Sequence, residues 1–276
     1  MHSPTGGRRD PFRDAYVLVA VAWCLAIAAG ITPWDGVDAR QFYDHRFPDP
    51  YAVGDYASGS GFYYSPPVAL LLAPFTALPF GVFHALLAGT GFAALFALLG
   101  RWAWLGLLFP PVWWDLSGGN INTVLGAVAV FGLRSPALWS FALLTKVTPG
   151  IGVVWFAVRR EWHHLGISLV SVAILCLVSA LVAPSLWPAW IAALTSNDPA
   201  YVGPGFFVVA VPLLPRLVVA ALLVVWGART DRRWTVPIAV WLSIPVLWWS
   251  TAAALVAVAA VFPERRGERK PGPAGQ

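Results

Sequence analysis

The stretch LLTKVTPG, residues 143–150, places a lysine in the middle of a long apolar run. The chain has only one other lysine, Lys270, which lies in the polar C-terminal segment. An ammonium group at the centre of a membrane costs about 2.5–3.5 kcal/mol on insertion scales, so such a residue usually faces a cavity, a partner or an anion. We therefore expect Lys146 to face a cavity, a partner or an anion rather than lipid.

The composition around this stretch predicts an integral membrane protein with an all-α fold. Of the 276 residues, 58% are hydrophobic and only 11% are charged. So few polar groups do not cover a water-soluble globule of this size. Sixteen tryptophans agree with a membrane location, because indole rings favour the interface between lipid and water.

Charge and potential ligands exclude several classes of partner. The net charge is +5, but the arginines form short clusters between apolar runs, which is typical of cytoplasmic loops rather than of nucleic-acid binding. No cluster of His, Asp or Glu has the spacing of a metal site, and we expect no metal and no cofactor. One exception stays open, since Asp38 and Asp44 could share an ion if their loop folds that way. Cys24 and Cys176 lie in apolar segments, which favours free thiols.

The arginine clusters predict a bundle of about ten membrane segments with both ends in the cytoplasm. Residues 1–14 are then a cytoplasmic tail, residues 15–263 a single transmembrane domain, and residues 264–276 a basic cytoplasmic tail. An even number of crossings must lie between successive cytoplasmic clusters. This requirement places turns at residues 117–120, 145–149, 184–205 and 243–250. The clusters are Arg101, Arg134, Arg159 with Arg160, residues 229–233 and the C-terminal tail.

Residues 136–158 allow two interpretations. In the favoured one, two half-length segments meet at a turn that contains Lys146 and faces the outer side. Each half is only about 10–14 residues long, so it must be shielded from lipid by protein. In the other interpretation, these residues form one continuous span with a kink at Pro149.

The longest polar stretch, residues 33–65, is predicted to be an outer loop that carries short interfacial helices. Residues 66–79 follow as an interfacial helix, since they are apolar, interrupted by prolines and shorter than the roughly 20 residues of a span. A carboxylate beside a hydroxyl group can accept its proton, which typically contributes a factor of about 10²–10⁴ in rate. The loop offers five such carboxylates, most of which we expect to be solvated: Asp35, Asp38, Asp44, Asp49 and Asp55.

Two segments suggest where an anion could bind. A helix that starts at Pro149 directs its free N–H groups toward the same anion as Lys146, and lipid phosphate is the abundant anion of a membrane. The glycines of SGGN, residues 117–120, let backbone amides approach a ligand, and Asn120 and Asn122 add carboxamides. The alternatives are a lysine that snorkels or pairs with Asp115, and a plain tight turn at SGGN.

Four segments together resemble the membrane glycosyltransferases of family 87. That family has the GT-C fold and includes mannosyltransferases that use polyprenyl-phosphate mannose. The resemblance covers about residues 15–165, and beyond them it extends only to hydropathy. The segments are DARQFYDHRFPDPY (38–51), GFYYSPPVALLLAPFTALP (61–79), SGGNINTVLGAVAV (117–130) and LLTKVTPGIGVVWFAVRREW (143–162).

The resemblance implies a role for each matched residue. Asp38 matches the family's aspartate, which is taken as the general base. Lys146, followed by Pro149, matches the lysine that would bind the donor phosphate. The matched glycine and asparagine turn adds Gly119, Asn120 and Asn122 to the donor-phosphate site. The predicted substrate-binding residues are Tyr43, Asp44, Tyr63, Tyr64 and Pro67.

The chain also departs from the family. It is shorter than is common there, so we expect several C-terminal helices to be missing or shortened. A late polar position, often histidine in relatives, is matched only by residues 248–251, Trp-Trp-Ser-Thr. The acceptor site is the part of the function that these departures affect.

The function that follows is an inverting glycosyltransferase at the outer face of the cell membrane. It would transfer a sugar, mannose according to the resemblance, from a polyprenyl-phosphate donor to a hydroxyl group of a lipid or glycan acceptor. The alternative is a non-catalytic lipid-phosphate-binding protein or flippase on the same scaffold. An ion or solute transporter is disfavoured, because the predicted spans contain few charges apart from Lys146, Arg216 and edge residues such as Asp115.

Overall fold

The computed structural model describes residues 10–31, 36–52, 61–195 and 211–261. Within these ranges the regular secondary structure is helical and there is no β-strand, which confirms the predicted all-α class. Several predicted features lie outside the described residues. They are most of the N-terminal tail, Asp35, Asp55, part of the turn at 184–205 and the basic C-terminal tail.

Fourteen α-helices occur in the described part of the chain, and short 3₁₀ helices join several of them. The α-helices are α1 Pro11–Ala28, α2 Val37–Asp44, α3 Pro66–Leu72, α4 Phe80–Leu99, α5 Ala103–Leu107, α6 Pro110–Gly118, α7 Asn122–Phe131, α8 Trp139–Thr145, α9 Val154–Val158, α10 Trp162–Val182, α11 Leu186–Thr195, α12 Leu213–Thr230, α13 Thr235–Leu242 and α14 Val256–Val261. The 3₁₀ helices are Phe75–Ala77, Gly100–Trp102, Pro136–Leu138, Thr148–Val153 and Trp249–Leu255.

Four helical segments are long and apolar enough to cross a membrane: α1, α4 with its continuation through α5, α10 and α12. In α1 and α10 only 11% of the apolar window is buried inside the protein, so most of their side chains are available to lipid. The chain is thus a membrane protein with several spans. The larger number of about ten segments, which counts the short helices as well, stays a prediction.

The short helices pack in the interior of the bundle. Helix α7 contacts α4, α13 and α14, and the 3₁₀ helix Trp249–Leu255 lies against both α6 and α7. Lipid is as apolar as these side chains, so tight packing rather than the exclusion of water holds such helices together. Fully buried side chains of one apolar cluster in this interior include Leu125, Trp139, Phe156, Val236 and Val240.

The chain reverses direction after Lys146. Helix α8 ends at Thr145, and further on the backbone of Gly152 lies against the ring of Trp139. A straight helix would separate residues 139 and 152 by about 20 Å, so these two can meet only in a hairpin. Any Cβ at Gly152 would overlap the indole, which explains why glycine is needed there. The continuous span considered for residues 136–158 is therefore wrong, and the two-segment interpretation describes this region.

The polar stretch after α1 contains a helix, α2, which packs against α4 and α6. Helix α3 follows and contacts α8, α10 and α11. The prediction of one helix over residues 66–79 is wrong in detail, because α3 ends at Leu72 and a separate 3₁₀ turn, Phe75–Ala77, follows Pro74. Pro74 lacks the N–H that would continue the helical hydrogen bonds. Together, α2 and α3 surround the point where the α6–α7 and α8–α9 turns meet.

Candidate functional site

Asp38 lies in the first turn of α2, beside the turn that joins α6 to α7. Its carboxylate is hydrogen-bonded to the side chain of Asn120, and a Cβ added to Gly118 would come within 2.8 Å of its Oδ2 atom. Gly119 has a φ of +71°, and a Cβ there would lie 2.7 Å from the Cβ of Ala39. The two glycines therefore let α2 approach the turn closely enough for Asp38 to reach it.

The surroundings of Asp38 make it a better base than an exposed aspartate. Burial raises the pKa of this carboxyl group, and the hydrogen bond from Asn120 and the charge of Lys146 offset part of that rise. Desolvation has this direction because it disfavours the charged form of an acid. The side chain is nevertheless half-buried rather than enclosed.

Lys146 lies directly after the last residue of α8 and faces the same turn from the other side. Its Nζ donates a hydrogen bond of 3.1 Å to Oδ1 of Asn122, and it interacts electrostatically with both Asp38 and Asp115. Among the described residues it forms no ion pair within 4.0 Å, which corrects the alternative of a direct pair with Asp115. Like Asp38, Lys146 is half-buried.

Two asparagines connect the acid and the cation to one turn. The Oδ1 atom of Asn120 accepts a hydrogen bond of 2.7 Å from the N–H of Ile121, so its NH₂ group is the end that donates to Asp38. Asn122 has the opposite orientation and turns its oxygen toward Lys146. One turn thus offers a donor to the carboxylate and an acceptor to the ammonium.

Asp115 is completely buried and caps the N-terminus of α7. Its carboxylate accepts hydrogen bonds from the backbone N–H groups of Asn122 and Thr123, at 3.1 and 2.8 Å. Both side chains also donate to it, Asn122 through Nδ2 at 2.9 Å and Thr123 through Oγ1 at 2.6 Å. Helix N-termini favour such a negative charge. Asp115 is therefore a buried cap, neither an exposed interfacial charge nor a group available to a ligand.

The backbone after Lys146 is in an unusual conformation. Val147 has φ 54° and ψ −65°, and the N–H of Thr148 donates a hydrogen bond of 2.6 Å to the carbonyl of Lys146 across it. This is a γ-turn with positive φ, which is rare and strained, and it is least favourable for a β-branched residue. Such strain persists only where the surrounding structure holds it, and it is concentrated at functional sites. The turn sets the direction in which Lys146 leaves the end of α8.

Tyr64 lies in the same group of residues. It interacts electrostatically with Asp38 and Asp115, and its ring packs against Phe42 with the centroids 4.7 Å apart. Burial raises the pKa of Tyr64, so the hydroxyl stays protonated and able to donate. Ser65 fixes this segment to α8 through a hydrogen bond of 2.6 Å from its Oγ to the carbonyl of Leu144.

The other residues predicted from the sequence have different surroundings. The hydroxyl of Tyr43 donates to the carbonyl of Leu78 at 2.8 Å and thereby ties α2 to the start of α4. The carbonyl of Tyr63 accepts a hydrogen bond of 3.0 Å from Trp190. Pro67 is half-buried in the first turn of α3. The hydrogen bond of Tyr43 therefore holds α2 against the start of α4.

Asp44 is exposed at the other end of α2 from Asp38. Along a helix each residue turns by about 100°, so six positions place Asp44 roughly 240° from Asp38 around the axis. The two carboxylates point in different directions, and the ion that they could have shared is ruled out by this geometry. Within the described ranges no group of three or more His, Cys, Asp or Glu residues is arranged to hold a metal ion.

The late segment at residues 248–251 is divided between surface and interior. Trp248 and Trp249 are about half exposed, at 49% and 50%, whereas Ser250 and Thr251 are buried. The 3₁₀ helix that starts at Trp249 contacts α6 and α7, which form the turn of the candidate site. This segment therefore packs against the two helices that the turn connects.

Two residues beside the site were not predicted from the sequence. His84 of α4 is buried, and its Nε2 lies 2.8 Å from the carbonyl of Ser117, directly under the turn. Thr123 supplies half of the hydrogen bonds to the Asp115 cap. A histidine inside an apolar span is itself a signal of a functional region, and that signal was available in the sequence. The pairing of Thr123 with Asp115 had no such signal, because it depends on how α6 and α7 meet.

The model of glycosyltransferase family 87 matches residues 62–274 of the chain. This range includes Tyr64, Asn120, Asn122 and Lys146, whereas Asp38 lies before it, and it extends the resemblance through the C-terminal half. Neither the curated proteins nor the solved structures contain a match. The family match covers well over half of the chain, which confirms the resemblance drawn from its motifs. The chain therefore belongs to glycosyltransferase family 87 and is a membrane glycosyltransferase.

Proposed function

We propose that this glycosyltransferase takes its sugar from a polyprenyl-phosphate donor and transfers it, with inversion, to a hydroxyl group at the outer face of the cell membrane. One observation carries the proposal. An acid from α2 and a cation from the end of α8 interact with each other and with one asparagine-bearing turn. Charges of opposite sign, half-buried at one point, suit a reaction between a hydroxyl group and a phosphosugar.

Lys146 is proposed to bind the donor phosphate. An ammonium group carries three N–H donors. Within the described ranges, the Nζ of Lys146 makes one hydrogen bond, to Asn122. Its remaining donors are available to phosphate oxygens. The neighbourhood is largely removed from water, which strengthens electrostatic stabilisation of the phosphate as it leaves. Asn120, Gly119 and the other residues of the turn would complete the donor-phosphate site.

Asp38 is proposed to act as the general base. It accepts the proton of the acceptor hydroxyl, whose oxygen attacks the anomeric carbon on the face opposite the phosphate. The bond between that carbon and the phosphate oxygen breaks, and the polyprenyl phosphate leaves with the electron pair. No general acid is needed, because the leaving phosphate is already stable as an anion. The raised pKa of Asp38 suits this role, since a stronger base accepts a proton more readily.

The positions of the arginines support an outer location of this site. Helix α7 begins at the site with Asn122 and ends shortly before Arg134, and α4 begins beside α2 and ends shortly before Arg101. The hairpin that contains Lys146 likewise ends at Arg159 and Arg160. Basic residues favour the cytoplasmic side, so the opposite helix ends face outward. This topology uses the ten segments predicted from the sequence.

The test is transfer of radiolabelled mannose, the sugar that the family resemblance favours, from a polyprenyl-phosphate donor to membrane acceptors. Asp38→Asn is expected to lower transfer about 10²–10⁴-fold while the variant still binds the donor. Lys146→Ala is expected to lose donor binding and transfer together. Asp49→Asn is the control, because it removes an exposed carboxylate from the same polar stretch and has no predicted role in the site.

Full transfer activity in both site variants would refute the proposed mechanism. A different outcome would favour the non-catalytic lipid-phosphate binder or flippase. In that case the unaltered protein transfers no sugar, Lys146→Ala weakens lipid-phosphate binding, and Asp38→Asn changes nothing.

A further inference from the structure

The carboxylate of Asp115 divides its hydrogen bonds between two neighbours. Oδ2 accepts from the backbone N–H and the hydroxyl of Thr123, at 2.8 and 2.6 Å. Oδ1 accepts from the backbone N–H and the carboxamide of Asn122, at 3.1 and 2.9 Å. The Oδ2 bonds fix only the start of α7. Of the two Oδ1 bonds, the one from the Asn122 carboxamide fixes a side chain that reaches Lys146.

The bond to Oδ1 decides which way the Asn122 carboxamide points. A carboxylate only accepts hydrogen bonds, so the NH₂ end of the carboxamide must face Asp115. The oxygen then faces Lys146, whose Nζ donates to it at 3.1 Å. The reverse orientation would place the NH₂ group against the ammonium and an oxygen against the carboxylate, which leaves buried groups without partners.

The intervening carboxamide also keeps two charges apart. The charge of Asp115 is stabilised by four hydrogen bonds and by the N-terminus of the ten-residue helix α7. A direct pair between Asp115 and Lys146 would neutralise the ammonium instead. With Asn122 between them, Lys146 is held in place and its charge stays available to an anion.

We propose that Asp115 is a positioning residue for Lys146. It orients the Asn122 carboxamide, and the carboxamide oxygen aims the ammonium at the place where the donor phosphate binds. The proposal rests on the proposed function of Lys146 as the donor-phosphate ligand. A residue that only caps α7 would affect folding and leave donor recognition unchanged.

The experiment compares Asp115→Asn with Thr123→Val in the full-length protein, by donor KM, kcat and thermal unfolding. The asparagine has an NH₂ group in place of one acceptor oxygen and is expected to raise the donor KM about tenfold to hundredfold. The control, Thr123→Val, removes only a bond to Oδ2 at nearly equal volume. It is expected to lower the unfolding temperature and to keep the donor KM within about twofold.

A second variant covers the case in which Asp115→Asn does not fold. Asn122→Ala keeps the backbone N–H groups that bind Asp115 but removes the carboxamide, and we expect the same rise in donor KM. In a Lys146→Met background, Asp115→Asn is expected to add no further loss of donor affinity, because the residue that it positions is absent.

Three results would overturn the inference: equal effects of Asp115→Asn and Thr123→Val on donor KM, an unchanged KM in Asn122→Ala, or a further loss in the Lys146→Met background. These differ from a failure of the proposed function itself. In that case Lys146→Met alone would leave donor binding unchanged.

Discussion

Lys146 and Arg216 are both cations within the apolar body of the protein, but their surroundings differ. Arg216 is 5% exposed, and its guanidinium donates to the backbone carbonyls of Val211, Leu242, Ile244 and Pro245 at 2.7–2.9 Å. Lys146 is half-buried and is held by one side-chain oxygen. A cation with four of its five N–H donors bonded to backbone carbonyls stabilises the fold, whereas one with most of its donors unused can bind an anion.

The two cations also differ in the backbone that carries them. Arg216 lies inside the regular helix α12, and its bonds close the end of α13 and the turn that follows. Lys146 lies at a helix end, next to a strained γ-turn at Val147. The number of donors already bonded to the protein, together with local strain, therefore distinguishes a candidate functional charge from a structural one better than burial alone.

The largest expected effect is on catalysis. Lys146→Met keeps the length of the side chain but removes the charge, and we expect sugar transfer to fall about 10²–10³-fold. The thermal unfolding temperature should stay unchanged or rise slightly, because the variant no longer buries an ammonium group. Transfer assays and unfolding curves on the same preparation measure both. A large loss of stability with normal activity per folded molecule would remove the distinction between the two cations.

The next largest effect is expected at Arg216, where a substitution should lower stability and leave donor binding unchanged. Arg216→Met leaves the four backbone carbonyls without this donor, which we expect to destabilise the fold by about 1–3 kcal/mol for each carbonyl that stays buried without a partner. The molecules that remain folded should keep the donor KM of the unaltered protein. Unfolding in denaturant and a donor titration give the two values. Unchanged stability, together with a raised donor KM, would assign Arg216 to the binding site instead.

A smaller effect is expected at Gly118. Alanine there would place its Cβ 2.8 Å from Oδ2 of Asp38, so the carboxylate must shift and transfer should fall about tenfold. Gly166→Ala is the matched control, since no atom lies within 4 Å of its added Cβ and alanine favours a helix. If both variants transferred sugar at the normal rate, the close approach of α2 would have no part in catalysis.

The smallest effects concern pH. Because burial raises the pKa of Asp38, transfer should fall with decreasing pH at a value above the roughly 3.9 of an exposed aspartate. The positive charge of Lys146 lowers the pKa of Asp38, so in Lys146→Met the fall should move to higher pH. A pH–rate profile of each protein checks this. An unchanged midpoint in the variant would show that the charges do not interact, and a lower one would contradict the direction of the effect.

The same pKa has a consequence for stability. A raised pKa means that ionised Asp38 costs folding free energy at neutral pH, and the cost disappears as the group becomes protonated at low pH. Asp38→Asn should therefore stabilise the fold near pH 7, and the gain should shrink as pH falls toward about 3.9. Unfolding temperatures measured across this range test the sign.

The sequence predicted the fold class and the position of the central break for physical reasons that are local. Apolar composition requires helices in a membrane, and the polar residues of LLTKVTPG interrupt one, so the turn after α8 was foreseeable. The family resemblance selected Asp38, Asn120, Asn122 and Lys146 from distant parts of the chain, and the structure brings these four together.

Other features depend on contacts that no local pattern encodes. Asp115 and Thr123 meet only because α6 and α7 reverse around the SGGN turn. Gly118 matters because of what lies opposite it, and its sequence neighbours do not indicate that Asp38 approaches there. Tyr43 was assigned to substrate because it follows Asp38 in an aromatic motif, but its hydroxyl is bonded to the backbone before α4.

The central claim is that Asp38 and Lys146 act on one phosphosugar, and a cryo-EM structure of Asp38→Asn with a bound polyprenyl-phosphate sugar tests it most directly. This variant keeps the donor intact because it lacks the base. We expect a phosphate oxygen within about 3.2 Å of the Lys146 Nζ, with the anomeric carbon facing residue 38. A phosphate held elsewhere, with Lys146 still bonded only to Asn122, would contradict it.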